Sequence, residues 1–110
     1  MRFMLSMLAL LLCSSGQVHA TVFNCSSVSD IRNAMAAVQP GDEIVIAAGT
    51  YTASGVAVSG SSAYYYGSQD GTAANPITIR SASSSNRAVL RGSSASSLTV
   101  LRITGAHWIV

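Results

Sequence analysis

The sequence predicts an all-β fold: a right-handed parallel β-helix, a solenoid whose first coils follow a short N-terminal capping helix. Three observations predict it. A helix, a break and a strand follow one another between Ser29 and Tyr51; short strands joined by small polar residues come after; and those strands recur at solenoid-like spacing. A coil of this kind cannot bury its inner face alone and needs a neighbour above and below.

The opening segment is the most informative. Ser29-Asp30 can cap a helix whose apolar residues Ile31, Ala34, Met35 and Val38 fall on one face. Pro40 and Gly41 end it, because proline cannot continue a helix and glycine accepts turn geometry. Glu43–Ala47 is a short β-branched strand, and Gly49-Thr50-Tyr51 reads as a second sharp turn. An ordinary αβ unit of an α/β domain fits this segment as well.

Farther along, Val56–Val58 reads as a strand. Residues 59–75 read as a loop carrying Tyr64, Tyr65, Tyr66 and the Asp70-Gly71 turn signal. Four more strands are predicted at Pro76–Arg80, Ala88–Arg91, Leu98–Ile103 and His107–Val110. Ile77 alternates with Ile79, and Leu101 with Ile103, so each pair should face the interior. Ile79 precedes Leu101 by 22 positions and follows Val58 by 21. Repeats of roughly 20 to 25 residues with their own strands mark a solenoid. An antiparallel sandwich, with strands every roughly 8 to 12 residues, is the competing arrangement.

Residues 1–20 read as a signal peptide outside the fold: Arg2 is the positive start, Phe3–Cys13 the apolar stretch, and Val18-His19-Ala20 a small-residue cleavage site. That stretch is too short for a membrane span, which needs roughly 20 apolar residues. The mature chain is expected to be secreted. Residues 21–110 are expected to be the N-terminal part of a β-helix domain, truncated at its C-terminus, because the chain stops inside the apolar run Trp108-Ile109-Val110. Lysine is absent, and five arginines against four acidic residues leave the mature part near neutrality. Nucleic-acid binding needs a concentrated basic patch, and the sequence has none. With Cys13 in the signal, Cys25 is left odd, which suggests a cysteine partner outside this chain. Asn24-Cys25-Ser26 fits the glycosylation sequon, with cysteine in its middle position making a weak acceptor.

Four stretches resemble the N-terminal end of the chondroitinase B and alginate lyase family of polysaccharide lyases, secreted β-helix proteins of the pectin lyase-like superfamily. They are Val38–Tyr51, Gly71–Arg80, Val89–Gly92 and His107–Val110. The Pro40-Gly41-Asp42 strand opening is shared by many β-helix proteins, whereas Gly71-Thr72 followed by Pro76-Ile77-Thr78-Ile79 is more specific to this group. The resemblance implies β-elimination on an acidic polysaccharide. A cation, calcium in many members, neutralises the uronate carboxylate, a lysine removes the C5 proton, and an arginine assists the leaving oxygen. No residue of this chain matches those roles, which belong to later coils. No catalytic, cofactor-binding or metal residue is therefore assigned, and the chain alone is expected to be inactive. Calcium is expected only in a full-length parent. Two other parents fit the same ladder: a non-catalytic glycan-binding surface or matrix protein, and a β-helix glycoside hydrolase with carboxylates on a later rung.

Among individual residues, Arg80 and Arg102 are expected to stack outward on successive coils. They read as two solvated arginines, or as the edge of a polyanion-binding surface. Tyr64, Tyr65 and Tyr66 could offer rings to sugars, but folding onto the wall and burying one or two of them is the favoured expectation. His107, beside Trp108, reads as a packed or outward-facing residue rather than a base. Asp42 and Glu43 are adjacent, so on a strand they point to opposite faces and serve as turn and strand-start residues.

Overall fold

The computed structural model describes residues 20–93 and 98–110, and the predicted signal peptide lies almost wholly outside them. The described chain is mostly β, with parallel sheets and one short helix. Strand β1 (Val22–Cys25) comes first, then helix α1 (Val28–Ala37). There follow β2 (Glu43–Ile46), β3 (Gly49–Ala53), β4 (Ala63–Gly67), β5 (Ile77–Ser81), β6 (Ala88–Gly92), β7 (Thr99–Ile103) and β8 (Trp108–Ile109). One sheet has the order β1-β2-β5-β8; β3 pairs with β6, and β4 with β7. Every pairing is parallel. The chain thus visits three sheets in one order, β2-β3-β4, and visits them again as β5-β6-β7, laying each strand on its predecessor. This excludes the antiparallel sandwich.

The cap of helix α1 lies two residues ahead of the predicted Ser29. Ser27 is the N-cap, its hydroxyl accepting from the Asp30 amide at 3.1 Å. The Asp30 carboxylate accepts in turn from the Ser26 amide at 3.1 Å. The predicted face is the buried one: Ile31, Ala34, Met35 and Val38 are sealed against the first circuit. Each fully buried Ile or Met there contributes roughly 1.5–3 kcal/mol. Arg32, on the flank, ties the helix to the wall. Its Nε donates to the Tyr64 carbonyl at 3.0 Å, and Nη2 to the carbonyls of Ser54 and Gly55 at 3.2 and 2.7 Å.

Helix α1 leads into β2 through Pro40-Gly41-Asp42, where Gly41 adopts φ 87°, a conformation that favours glycine. Asp42 is 5% exposed and holds the corner together. Its two carboxylate oxygens accept from the Thr21 and Gln39 amides, each at 2.9 Å. One carboxylate thus joins the approach to β1 to the end of α1.

Inward columns run across the register: Phe23, Ile44 and Ile79; Cys25, Ile46 and Ser81; Ile77 and Trp108; Tyr51 and Leu90; Tyr65 and Leu101; Gly67 and Ile103. Ile77 and Ile79 are buried as predicted, while Leu101 and Ile103 are half-buried against the same core.

Several expectations need correction. The repeat is longer than 21 or 22 residues: Ile44 pairs with Ile79, Tyr51 with Leu90 and Tyr65 with Leu101, separations of 35, 39 and 36. Ile79 and Leu101 belong to different sheets of one circuit. Gly49–Tyr51 is not a turn but the start of β3. Val56 and Val58 are exposed and form no strand. The loop predicted over residues 59–75 contains β4, because Tyr64 and Tyr65 bury too much apolar surface to stay in solvent. Strand β1 lies in a stretch that carried no strand prediction.

Candidate functional site

Among the described residues no three His, Cys, Asp or Glu side chains converge to hold a metal ion. The acidic groups have other work. Asp30 and Asp42 bind backbone amides as described. Asp70 accepts from the Ala106 amide at 2.8 Å, and Glu43 pairs with Arg80 at 2.7 Å.

Tyr65 is fully buried and donates to the Tyr51 carbonyl at 2.8 Å. Burial, opposed in part by Arg32, raises its phenol above the ordinary value. Tyr64 is also buried, its ring lying over Gly92. Tyr66 is half-buried, with its hydroxyl 3.1 Å from Thr104 Oγ1. Tyr64 and Tyr65 therefore offer no face to a sugar, in line with the favoured expectation. His107 is exposed, at φ 58°, in the corner leading into β8, much as Gly41 stands before β2. Its carbonyl accepts from the Ile77 amide at 3.0 Å, so its described role is carried by backbone. Cys25 is a buried free thiol, raised above its ordinary value by burial and then by Asp30. It serves here as a small core side chain beneath α1.

The two arginines singled out by spacing do not stack. Arg80 lies opposite Val45 in one sheet, whereas Arg102 lies opposite Tyr66 in another. Arg102 donates to the Ser61 carbonyl at 3.0 Å and serves the wall. Arg80 instead reaches an open groove of about 500 Å³ at the corner between β5 and β6. Arg87 lines it too, together with Ile79, Ser81, Ala82, Ser83, Ser84 and Val110. The sequence reading did not bring Arg80 and Arg87 together. The corner itself is well ordered by hydroxyls. Ser83 Oγ accepts from the Ser85 and Asn86 amides, each at 3.3 Å, and Ser81 Oγ accepts from the Ala88 amide at 3.0 Å.

The architecture, stacked parallel strands behind a short helix, is that of solved polysaccharide lyases. More particularly, the chain is similar to the alginate lyase from Paenibacillus sp. str. FPU-7: 37% identity and a TM-score of 0.64, covering 80% of this chain and 26% of that one. It also resembles the PL6 family alginate lyase AlyGC in fold, with 22% identity and a TM-score of 0.55 over 82% of this chain and 10% of that one. The chain therefore spans about a quarter of the first lyase and a tenth of the second. No family model matches the chain, and no curated protein matches it either. These likenesses support the resemblance read from the four sequence stretches, on its alginate lyase side.

Proposed function

We propose that this chain is the opening of a secreted right-handed parallel β-helix whose whole protein cleaves an acidic polysaccharide by β-elimination. The observation that carries it is the likeness to the Paenibacillus alginate lyase over four-fifths of the chain. The repeated visit to three parallel sheets agrees with it. In such a reaction the uronate carboxylate is neutralised, a base removes the C5 proton, and the 4-oxygen leaves with a double bond formed in the ring. This chain supplies neither a lysine base nor a cluster of described residues suited to calcium. Those functions, on this reading, belong to later circuits, and this part supplies the cap and the first rungs. Among the described residues no helix is long and apolar enough to cross a membrane.

The test uses the full-length protein with alginate, chondroitin and pectate in turn, following the ultraviolet absorbance of unsaturated uronate ends. Absorbance growth with alginate is expected. Binding of acidic polysaccharide without any product would favour a glycan-binding parent instead. New reducing ends without the unsaturated chromophore would favour a hydrolase.

A further inference from the structure

We infer that Asp42 is the binding site of the chain's own α-amino group, created by hydrolysis of the Ala20–Thr21 peptide bond, so that signal removal converts a backbone hydrogen bond into an ion pair. The inference rests on the secretion half of the proposed function and not on its chemistry with polysaccharide.

Two independent observations meet at one nitrogen. The small-residue site Val18-His19-Ala20 puts the cut between Ala20 and Thr21 from the sequence alone. In the fold the same Thr21 nitrogen lies 2.9 Å from Asp42 Oδ1. Ala20 and Thr21 are exposed and precede β1, so the bond lies clear of the strand. Hydrolysis consumes one water. Its oxygen goes to the Ala20 carboxylate, which departs with the leader, and its two hydrogens go to the Thr21 nitrogen, which becomes an ammonium.

Asp42 is suited to receive that charge. It is 5% exposed, and a buried carboxylate needs a partner. Among the described residues no cationic side chain pairs with it: Arg80, on the neighbouring strand β5, is held by Glu43 at 2.7 Å. The carboxylate is also fixed in place. Its Oδ2 accepts from the Gln39 amide at 2.9 Å, the Asp42 amide donates to the Gln39 carbonyl at 3.0 Å, and the Asp42 carbonyl accepts from the Thr78 amide at 3.1 Å. Thr21 is held as firmly, its carbonyl accepting from the Glu43 amide at 2.9 Å. Donor and acceptor are in position before the charge appears, so little further ordering opposes the pair. Residues 21–110 contain no lysine, which leaves the α-amino group as the sole primary amine of this part.

The experiment uses the secreted full-length protein beside a variant with one extra asparagine inserted before Thr21, a residue unsuited to the small-residue cleavage position. In that variant the Thr21 nitrogen stays an amide and the ammonium stands one residue farther out. Both N-termini are sequenced, both proteins are treated with an amine-reactive ester and mapped by mass spectrometry, and both are unfolded in urea with and without D42N. The wild type is expected to begin at Thr21. Its α-amino group is expected to acylate about tenfold more slowly than that of the insertion variant, because pairing keeps it protonated. The insertion is expected to raise the unfolding equilibrium constant about fivefold with Asp42 present and by no more than about twofold in D42N. Equal acylation rates overturn the inference, as does an insertion effect that D42N leaves unchanged. Should D42N fail to fold, the acylation comparison decides alone. A mature chain that begins at another residue overturns the inference and leaves the polysaccharide reading standing. One that retains the leader overturns the inference and secretion together.

Discussion

Replacing Asp42 by alanine removes the carboxylate that accepts from the Thr21 and Gln39 amides, each at 2.9 Å. A hydrogen bond to a charged group contributes about 1.5–3 kcal/mol when its donor is left without a partner. Thr21 and Gln39 are themselves exposed, so water recovers part of that loss, while Asp42 sits 5% exposed in the corner. D42A is therefore expected to lower the free energy of unfolding by about 2–4 kcal/mol. Asparagine is nearly isosteric, yet it keeps one acceptor oxygen and turns an NH₂ toward the other amide. D42N should accordingly fail to restore the wild type, costing about 1.5–3 kcal/mol. Urea unfolding of the full-length protein measures both variants. Hydrogen exchange localises the effect, with the Gln39 amide exchanging faster than the β2 amides. D42N within 0.5 kcal/mol of wild type, or unchanged exchange at the Gln39 amide, refutes the clasp.

Three further outcomes are expected. In G92A the new Cβ would meet Tyr64 Cδ2 at 2.6 Å, so overpacking should cost about 1–3 kcal/mol in the same urea assay; wild-type stability would show that the ring moves aside freely. Burial raises the Tyr65 phenol, so the folded state favours the neutral form. That contribution is complete below the ordinary tyrosine range near pH ~10 and is lost as pH rises through the raised value. Unfolding free energy should fall more steeply with alkali in wild type than in Y65F, and equal slopes would exclude Tyr65 as the cause. In the full-length protein Cys25 should resist alkylation until it is both denatured and reduced, as a cysteine partner outside this chain requires; alkylation after denaturation without reductant would exclude that pairing.

Local signals carried the opening and lost the repeat. The Pro40-Gly41-Asp42 break, the Ile31, Ala34, Met35 and Val38 face and the Ile77/Ile79 alternation depend on neighbours a few positions apart, and all three stand in the structure. The period does not work that way. Inward residues of different sheets look alike in a sequence, so Ile79 and Leu101 suggested one repeat although they sit on two walls. Corner lengths also differ between circuits, so partners stand 21 apart between β1 and β2, 31 between β5 and β8 and 35 to 39 elsewhere, which hides the repeat. Tyr64-Tyr65-Tyr66 shows no alternation of polarity because Tyr64 packs on Gly92 while Tyr65 reaches Tyr51, a bend no periodicity records. The nearness of Arg80 and Arg87 was illegible for a similar reason: they line one groove across a serine-rich corner whose bend no periodicity records.

The placing of α1 between β1 and β2 bears on how the protein is made. The element that closes one end of the stack is among the first to leave the ribosome, and its inner face is met at once by the strands that follow. Each strand that has a predecessor in its sheet finds it already synthesised, 21 to 39 residues earlier. At the usual elongation rate of about 5–20 residues per second, a fresh template is renewed about every 1 to 8 s. Vectorial synthesis therefore presents the strands in the order in which they are laid down, and a nascent strand never has to wait for a partner that has not been translated.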